Sequence, residues 1–173
     1  FLAQQSLVVH PFTGAAPGAW GWTDLPGSVP DADDTAGALV VLQRTCREQP
    51  GVAQAAARGL EWLLRLQNRD GGIPTFCRGW GRLPFDRSCP DITAHALEAF
   101  SLWSGAMPTR LRRRLDRASA RALECLRTTQ AADGSWTPLW FGNAAAPGSR
   151  NPVYGTARVL TALQAQPQDT LTG

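Results

Sequence analysis

Lysine is absent from the 173 residues, so all seventeen basic side chains are arginine, a bias that reads as the coding habit of a GC-rich genome and not as a functional signal. An excess of one charge is missing too. The formal balance is +3, too small to argue for a nucleic-acid partner. The densest basic run, Arg110 to Arg117, alternates with leucine at helical spacing and reads as the solvated face of an outer helix, with a phospholipid-facing role as the alternative. Cysteines are few, and Cys46, Cys77, Cys89 and Cys125 form no C-x-x-C pair. That points away from a disulfide scaffold or a zinc ribbon and fits a reducing compartment. No apolar run reaches the roughly eighteen residues of a membrane-spanning helix, and no signal peptide is expected. The opening FLAQQ reads as the tail of a helix cut from its beginning, so an internal fragment is expected. No stretch reads convincingly as a strand, and a 43% hydrophobic content is enough for one sizeable core.

The chain does hold a dense acidic cluster. In VPDADDT, Val29 to Thr35, three carboxylates fall within four positions at an expected helix start. Helix capping accounts for two of them, with Asp31 as the N-cap and Asp34 as the acid at N3. Asp33 is then surplus, and the apolar run after it suggests a helix buried nearly all round, where a surplus acid has a raised pKa and stays protonated.

Internal repetition organises the rest. LEWLLRLQNRDGG, Leu60 to Gly72, aligns with LECLRTTQAADGS, Leu123 to Ser135, at a constant offset of 63. Thr35-Ala36, Thr93-Ala94 and Thr156-Ala157 each open an apolar stretch, at spacings of 58 and 63. Each unit therefore reads as a helix opening on a polar cluster, a connection, a second amphipathic helix ending in Gln, and a Gly-containing turn. Helices are expected over 32–47, 52–68, 91–104, 108–129 and 153–165. The class is all-α, and stacked pairs of this kind gather the starts of the inner helices at one mouth.

These residues resemble the squalene-hopene cyclase family of triterpene cyclases. QAADGSW, Gln130 to Trp136, resembles that family's QW repeat, in which Gln caps a helix end and Trp stacks over it. QNRDGGI is a second copy with Ile73 in place of Trp, and PGAW, Pro17 to Trp20, is a degenerate third. PDADDT resembles the family's D-x-D-D-T acid motif and is followed by PDITAH, Pro90 to His95. The resemblance implies an α/α toroid, with residues 1–173 as a single partial barrel domain. It implies that Asp33 donates a proton to a terminal alkene of squalene, that Asp31 and Asp34 shape its acidity, and that His95, held by Asp91, hydrogen-bonds the acid. Trp20, Trp22, Phe76, Trp140 and Tyr154 match positions of cavity aromatics, whose faces would stabilise a migrating cation. Trp62, Trp80 and Trp103 read as core and Trp136 as scaffold, while His10 has no expected role.

The resemblance further implies a squalene-like polyprenoid substrate, a hopene- or hopanol-like product, no metal and no cofactor. It also implies a full-length protein that is membrane-associated at the cytoplasmic face in a bacterium, and a homodimer. Three other readings stand beside it. A zinc prenyltransferase-like subunit would use Asp86, Cys89 and His95, a class II diterpene cyclase would act on a prenyl diphosphate, and a toroid could serve as a non-catalytic binding module.

Overall fold

A computed structural model describes residues 2–77 and 86–166. Among the described residues five α-helices form the fold: α1 (Ala32–Thr45), α2 (Val52–Leu66), α3 (Pro90–Ser104), α4 (Thr109–Thr129) and α5 (Pro152–Gln164). Among the described residues there is no strand, only the isolated bridges Gly21 to Pro30 and Pro74 to Ser88. The boundaries differ from expectation by one or two residues. Gln67 turns out of the helix with ψ 127°, and α1 ends at Thr45, its last amide bond made by Cys46 to Leu42 O. Within the opening FLAQQ, Leu2–Gln4 forms a single 3-10 turn.

The helices form two layers. α3 packs between α1 and α5, with α2 laid over α1 and α4 over α3. Composition explains the assignment. The outer helices bury one stripe each, Leu60, Leu63 and Leu66 with Val52 and Ala56 on α2, and Leu111, Leu115, Ala118 and Ala122 on α4. α3 carries ten buried residues, distributed all round it. α1 and α3 are also tied by polar contacts: Arg44 Nη2 reaches the buried Glu98 Oε1 at 2.6 Å, Gln43 donates to Leu102 O at 3.0 Å, and Trp103 Nε1 donates to Leu39 O at 2.8 Å.

Three threonines set the register of the inner layer. The Thr35, Thr93 and Thr156 hydroxyls accept the backbone N–H groups of Trp20, Ile73 and Trp136 at 3.0, 2.9 and 3.1 Å. Each inner helix is thus fixed at the same height against the turn that leads into it. The turns repeat as well: Gln67 Nε2 donates to Gly71 O and to Ala118 O of α4 at 2.8 and 2.9 Å, and Gln130 Nε2 donates to Gly134 O at 2.9 Å. Gly71 has φ +92°, and a Cβ there would run into the Arg121 carbonyl, so only glycine serves. Gln5 makes the equivalent pair of bonds, to Gly18 O at 2.7 Å and Ala55 O at 2.9 Å. In this copy thirteen residues separate the Gln from the Gly, against four in the others, which hides it in the sequence.

Trp62 and Trp103 are core residues and Trp136 is a buried scaffold residue, its Nε1 donating to Leu126 O at 2.7 Å. Trp80 lies outside the described residues. His10 is buried in the N-terminal loop, where Nδ1 accepts the Thr13 N–H at 3.2 Å and Nε2 approaches Gly27 O. No described helix is long and apolar enough to cross a membrane.

Candidate active site

The starts of α1, α3 and α5 lie side by side, and the threonine register makes their positions equivalent. Two residues before each threonine stand Asp33, Asp91 and Tyr154; two residues after stand Gly37, His95 and Arg158. One turn of helix separates the two positions, so both project from the same face. His95 uses this offset to cross from α3 to α1. Its Nδ1 lies 2.6 Å from Asp33 Oδ1, with the imidazole 13% and the carboxylate 34% exposed. Gly37 lies against the ring: a Cβ at that position would meet His95 Cε1 at 3.4 Å, an ordinary contact.

Asp31 caps α1, its Oδ1 accepting the Asp34 N–H at 2.8 Å. The protonation states run opposite to expectation. Burial, reinforced by a hydrogen bond with the Asp34 carboxyl and by the charges of Asp34 and Asp33, pushes Asp31 up to about 8, so the cap is the neutral acid. Burial also pushes Asp33 upward, but the hydrogen bond and charge of His95 and the charge of Arg158 outweigh it and hold the carboxyl below the usual range. Asp33 is therefore not a surplus protonated acid but a strengthened one.

Asp91 does not hold His95. It is 1% exposed, and its Oδ1 accepts the thiol of Cys89 at 2.7 Å, while Oδ2 is buried with no partner among the described residues. Burial and the field of Asp33 raise the Asp91 pKa despite that bond. The Cys89 thiol is itself pushed up to about 12 by burial and by Asp91, and its sulfur accepts the Leu139 N–H at 3.3 Å. In the sequence Cys89 figures only as a zinc ligand of the prenyltransferase-like reading; its bond to Asp91 carries no pattern, and its place as the N-cap of α3 is the available signal.

The aromatics divide. Tyr154 on α5 is half-buried, lies within the field of Asp33, and packs its ring 5.3 Å from Phe141. Trp140, beside Phe141, is 39% exposed, and Phe76 is half-buried. Trp20 is corrected: it is 3% exposed and its Cζ3 would lie 2.7 Å from a Cβ on Gly59, so it belongs to the core under α2 and not to the mouth. Trp22 is 77% exposed, on a shallow depression it shares with Asp34 and Ala38. No group of three or more metal-ligating side chains occurs among the described residues, and Cys89 and His95 are engaged with Asp91 and Asp33.

The family described as the squalene-hopene cyclase C-terminal domain matches residues 12–172. The chain belongs to the squalene-hopene cyclase family. Enfumafungin synthase of Hormonema carpetanum is 33% identical over 164 residues, covering 84% of this chain and 12% of that protein. The squalene-hopene cyclase of Alicyclobacillus acidocaldarius is 30% identical over 157 residues, covering 79% of this chain and 21% of its own length. The chain thus spans between about an eighth and a fifth of these two relatives. A mutant family 10 polysaccharide lyase from Cellvibrio cellulosa shares the fold at TM-score 0.63 and 15% identity, over 96% of this chain and 61% of that one. The helical layers are accordingly those of an α/α toroid, here in a triterpene cyclase family.

Proposed function

We propose that this chain carries the proton-donating centre of a class II triterpene cyclase that acts on squalene or a similar polyprenoid and forms a hopene- or hopanol-like product. The contact between His95 Nδ1 and Asp33 Oδ1 supports this reading, because an alkene is a weak base and only an acid with a stabilised conjugate base protonates it usefully. In its protonated state Asp33 gives its proton to the less substituted carbon of the terminal double bond, leaving a tertiary cation on its neighbour and a carboxylate hydrogen-bonded to His95. Successive double bonds then attack the cation in turn. The cascade ends when water adds or a proton is lost, and no electrons are exchanged with a cofactor.

The aromatic faces of Tyr154, Phe141 and Trp140 stabilise this cation, a reading supported by the packing of Phe141 on Tyr154, which lies in the field of Asp33. Asp33 is a third exposed in these 173 residues, and water would quench the cation, so the reaction needs further chain to close the cavity. A thirty-carbon hydrocarbon dissolves in bilayers, and peripheral association with the cytoplasmic face of a bacterial membrane is part of the same proposal.

Gas chromatography of squalene incubations tests it, using the protein translated from its complete reading frame. Asp33→Asn should yield no cyclic product while the chain still folds, with a melting temperature somewhat lower at neutral pH, since Asn keeps the shape but gives up the stabilising pairing of the carboxylate with His95. The isolated 173 residues should be inactive. Cyclic product from the Asn variant would remove Asp33 as the acid.

A further inference from the structure

The connection from α4 to α5 is longer than a turn needs, and its second half closes on itself. Asn143 N–H donates to Ser149 O at 3.0 Å, Ala146 N–H to Asn143 O at 2.9 Å and Ser149 N–H to Ala146 O at 2.9 Å. Gly142 has no room for a side chain, since a Cβ there would lie 2.7 Å from Ser149 O. The loop is therefore a compact unit with its own bonds. Two contacts tie its base: Leu139 N–H donates to Cys89 Sγ, and Arg150 Nη2 donates to Thr137 Oγ1, both at 3.3 Å.

At the exit of this loop Asn151 uses both ends of its amide. Oδ1 accepts the Tyr154 N–H at 3.3 Å and caps α5, while Nδ2 donates to Phe141 O at 3.0 Å. Capping alone needs only an acceptor, which serine or aspartate supplies as well. The second bond does something else: it ties the backbone of Phe141 to that of Tyr154, the two residues whose rings pack with centroids 5.3 Å apart. Tyr154 stands on α5 at the register position of Asp33 and Asp91. Phe141 ends a run of three exposed apolar side chains, Leu139, Trp140 and Phe141, held beside the mouth by a loop that is bonded throughout. An apolar run held out in this way suits an apolar ligand.

We infer that Asn151 is a positioning residue for the reaction: by capping α5 and holding the Phe141 carbonyl with one amide, it fixes the Phe141 ring against Tyr154 as a wall of the mouth. The inference rests on the proposed function for its catalytic meaning, though not for the placement of the rings. A ring pair set before the substrate arrives gives up no side-chain freedom on binding, and a wall that stays in place keeps water and bases from a cation.

The test separates the two ends of the amide in the full-length protein. Asn151→Asp and Asn151→Ser keep an acceptor for the cap and lose the donor to Phe141, so the melting temperature should stay within about 3 °C of wild type. Fluorine NMR of fluorotyrosine-labelled protein, with Tyr154→Phe assigning the signal, should show the Tyr154 resonance moved in both variants and in Phe141→Leu. In squalene incubations kcat should fall about tenfold with KM within about twofold, and the share of products with fewer rings should rise about threefold. A cap with no further role would leave that share unchanged. An unmoved Tyr154 signal in whichever of the two Asn151 variants folds, or a wild-type product pattern beside a moved signal, would overturn the inference. A moved signal in a protein whose wild type makes no cyclic product would keep the ring placement and discard the proposed function instead.

Discussion

Asp33 and Asp91 occupy the same place in two successive repeats, two residues before the hydroxyl that fixes each inner helix, yet they are different acids. Asp33 is a third exposed, bound to an imidazole and lower in pKa than usual; Asp91 is enclosed, bound to a thiol and higher than usual. Backbone geometry is common to both, so the difference comes from what the neighbouring helix offers across the mouth. α3 gives Asp33 a base that can carry charge. The loop before α3 gives Asp91 only a weak, uncharged donor. Position on the scaffold sets where an acid stands, and its partner sets which proton state it holds.

The comparison is most severely tested by making Asp33 resemble Asp91. His95→Phe fills the space without a proton-bearing group, so the Asp33 pKa should climb above the ordinary aspartate range and squalene turnover should fall by about 10²- to 10⁴-fold, as measured by product chromatography. The pH dependence of stability should change with it. A carboxyl whose folded pKa lies below 3.8 adds stability above that pH and loses it as the pH falls through the folded value; this acid-side loss should disappear in the variant. Asp31 works in the opposite sense. Its folded value near 8 lies above 3.8, so its contribution is fully present below about pH 4 and is lost as the pH rises toward 8. Asp31→Asn keeps an N-cap acceptor for Asp34, and thermal unfolding should show it more stable than wild type by on the order of 2 kcal/mol at pH 8 and equal to it at pH 4.

Smaller effects sharpen the same contrast. Cys89→Ala removes the thiol donor from a buried carboxyl whose other oxygen is already unpaired and should cost about 1 to 2 kcal/mol in denaturant titrations, with Cys89→Ser recovering most of the loss. Gly37→Ala should matter least: the new methyl meets the imidazole edge at an ordinary contact distance, and helix propensity should add about 0.5 to 1 kcal/mol while turnover stays within about twofold.

The helical layers were legible because the period of the repeats is long and the threonine and glutamine signals recur at fixed offsets. The meeting of Asp33 with His95 was legible for the same reason, as two helix starts brought side by side. What stayed hidden depended on contacts between repeats or on irregular spacing. Gln5 lies nine residues further from its glycine than the other two glutamines do, so the first copy of the turn could not be aligned. The Cys89 to Asp91 bond gives no periodic signal. The family resemblance puts Trp20 among the cavity aromatics, but a tryptophan near the acid motif fits a wall or a core equally, and only its packing on Gly59 decides between them.

The threonine hydroxyls give the fold an addressing scheme. Every inner helix docks through the same bond, and that bond lies on the backbone side of the turn before it, away from the two positions that look into the mouth. Residues 33 and 37, 95, and 154 and 158 can therefore be exchanged with less disturbance to how the helices seat than the enclosed Asp91. A lineage or a designer gains five adjustable sites on a frame whose assembly is specified elsewhere, so reaction chemistry can diversify faster than architecture.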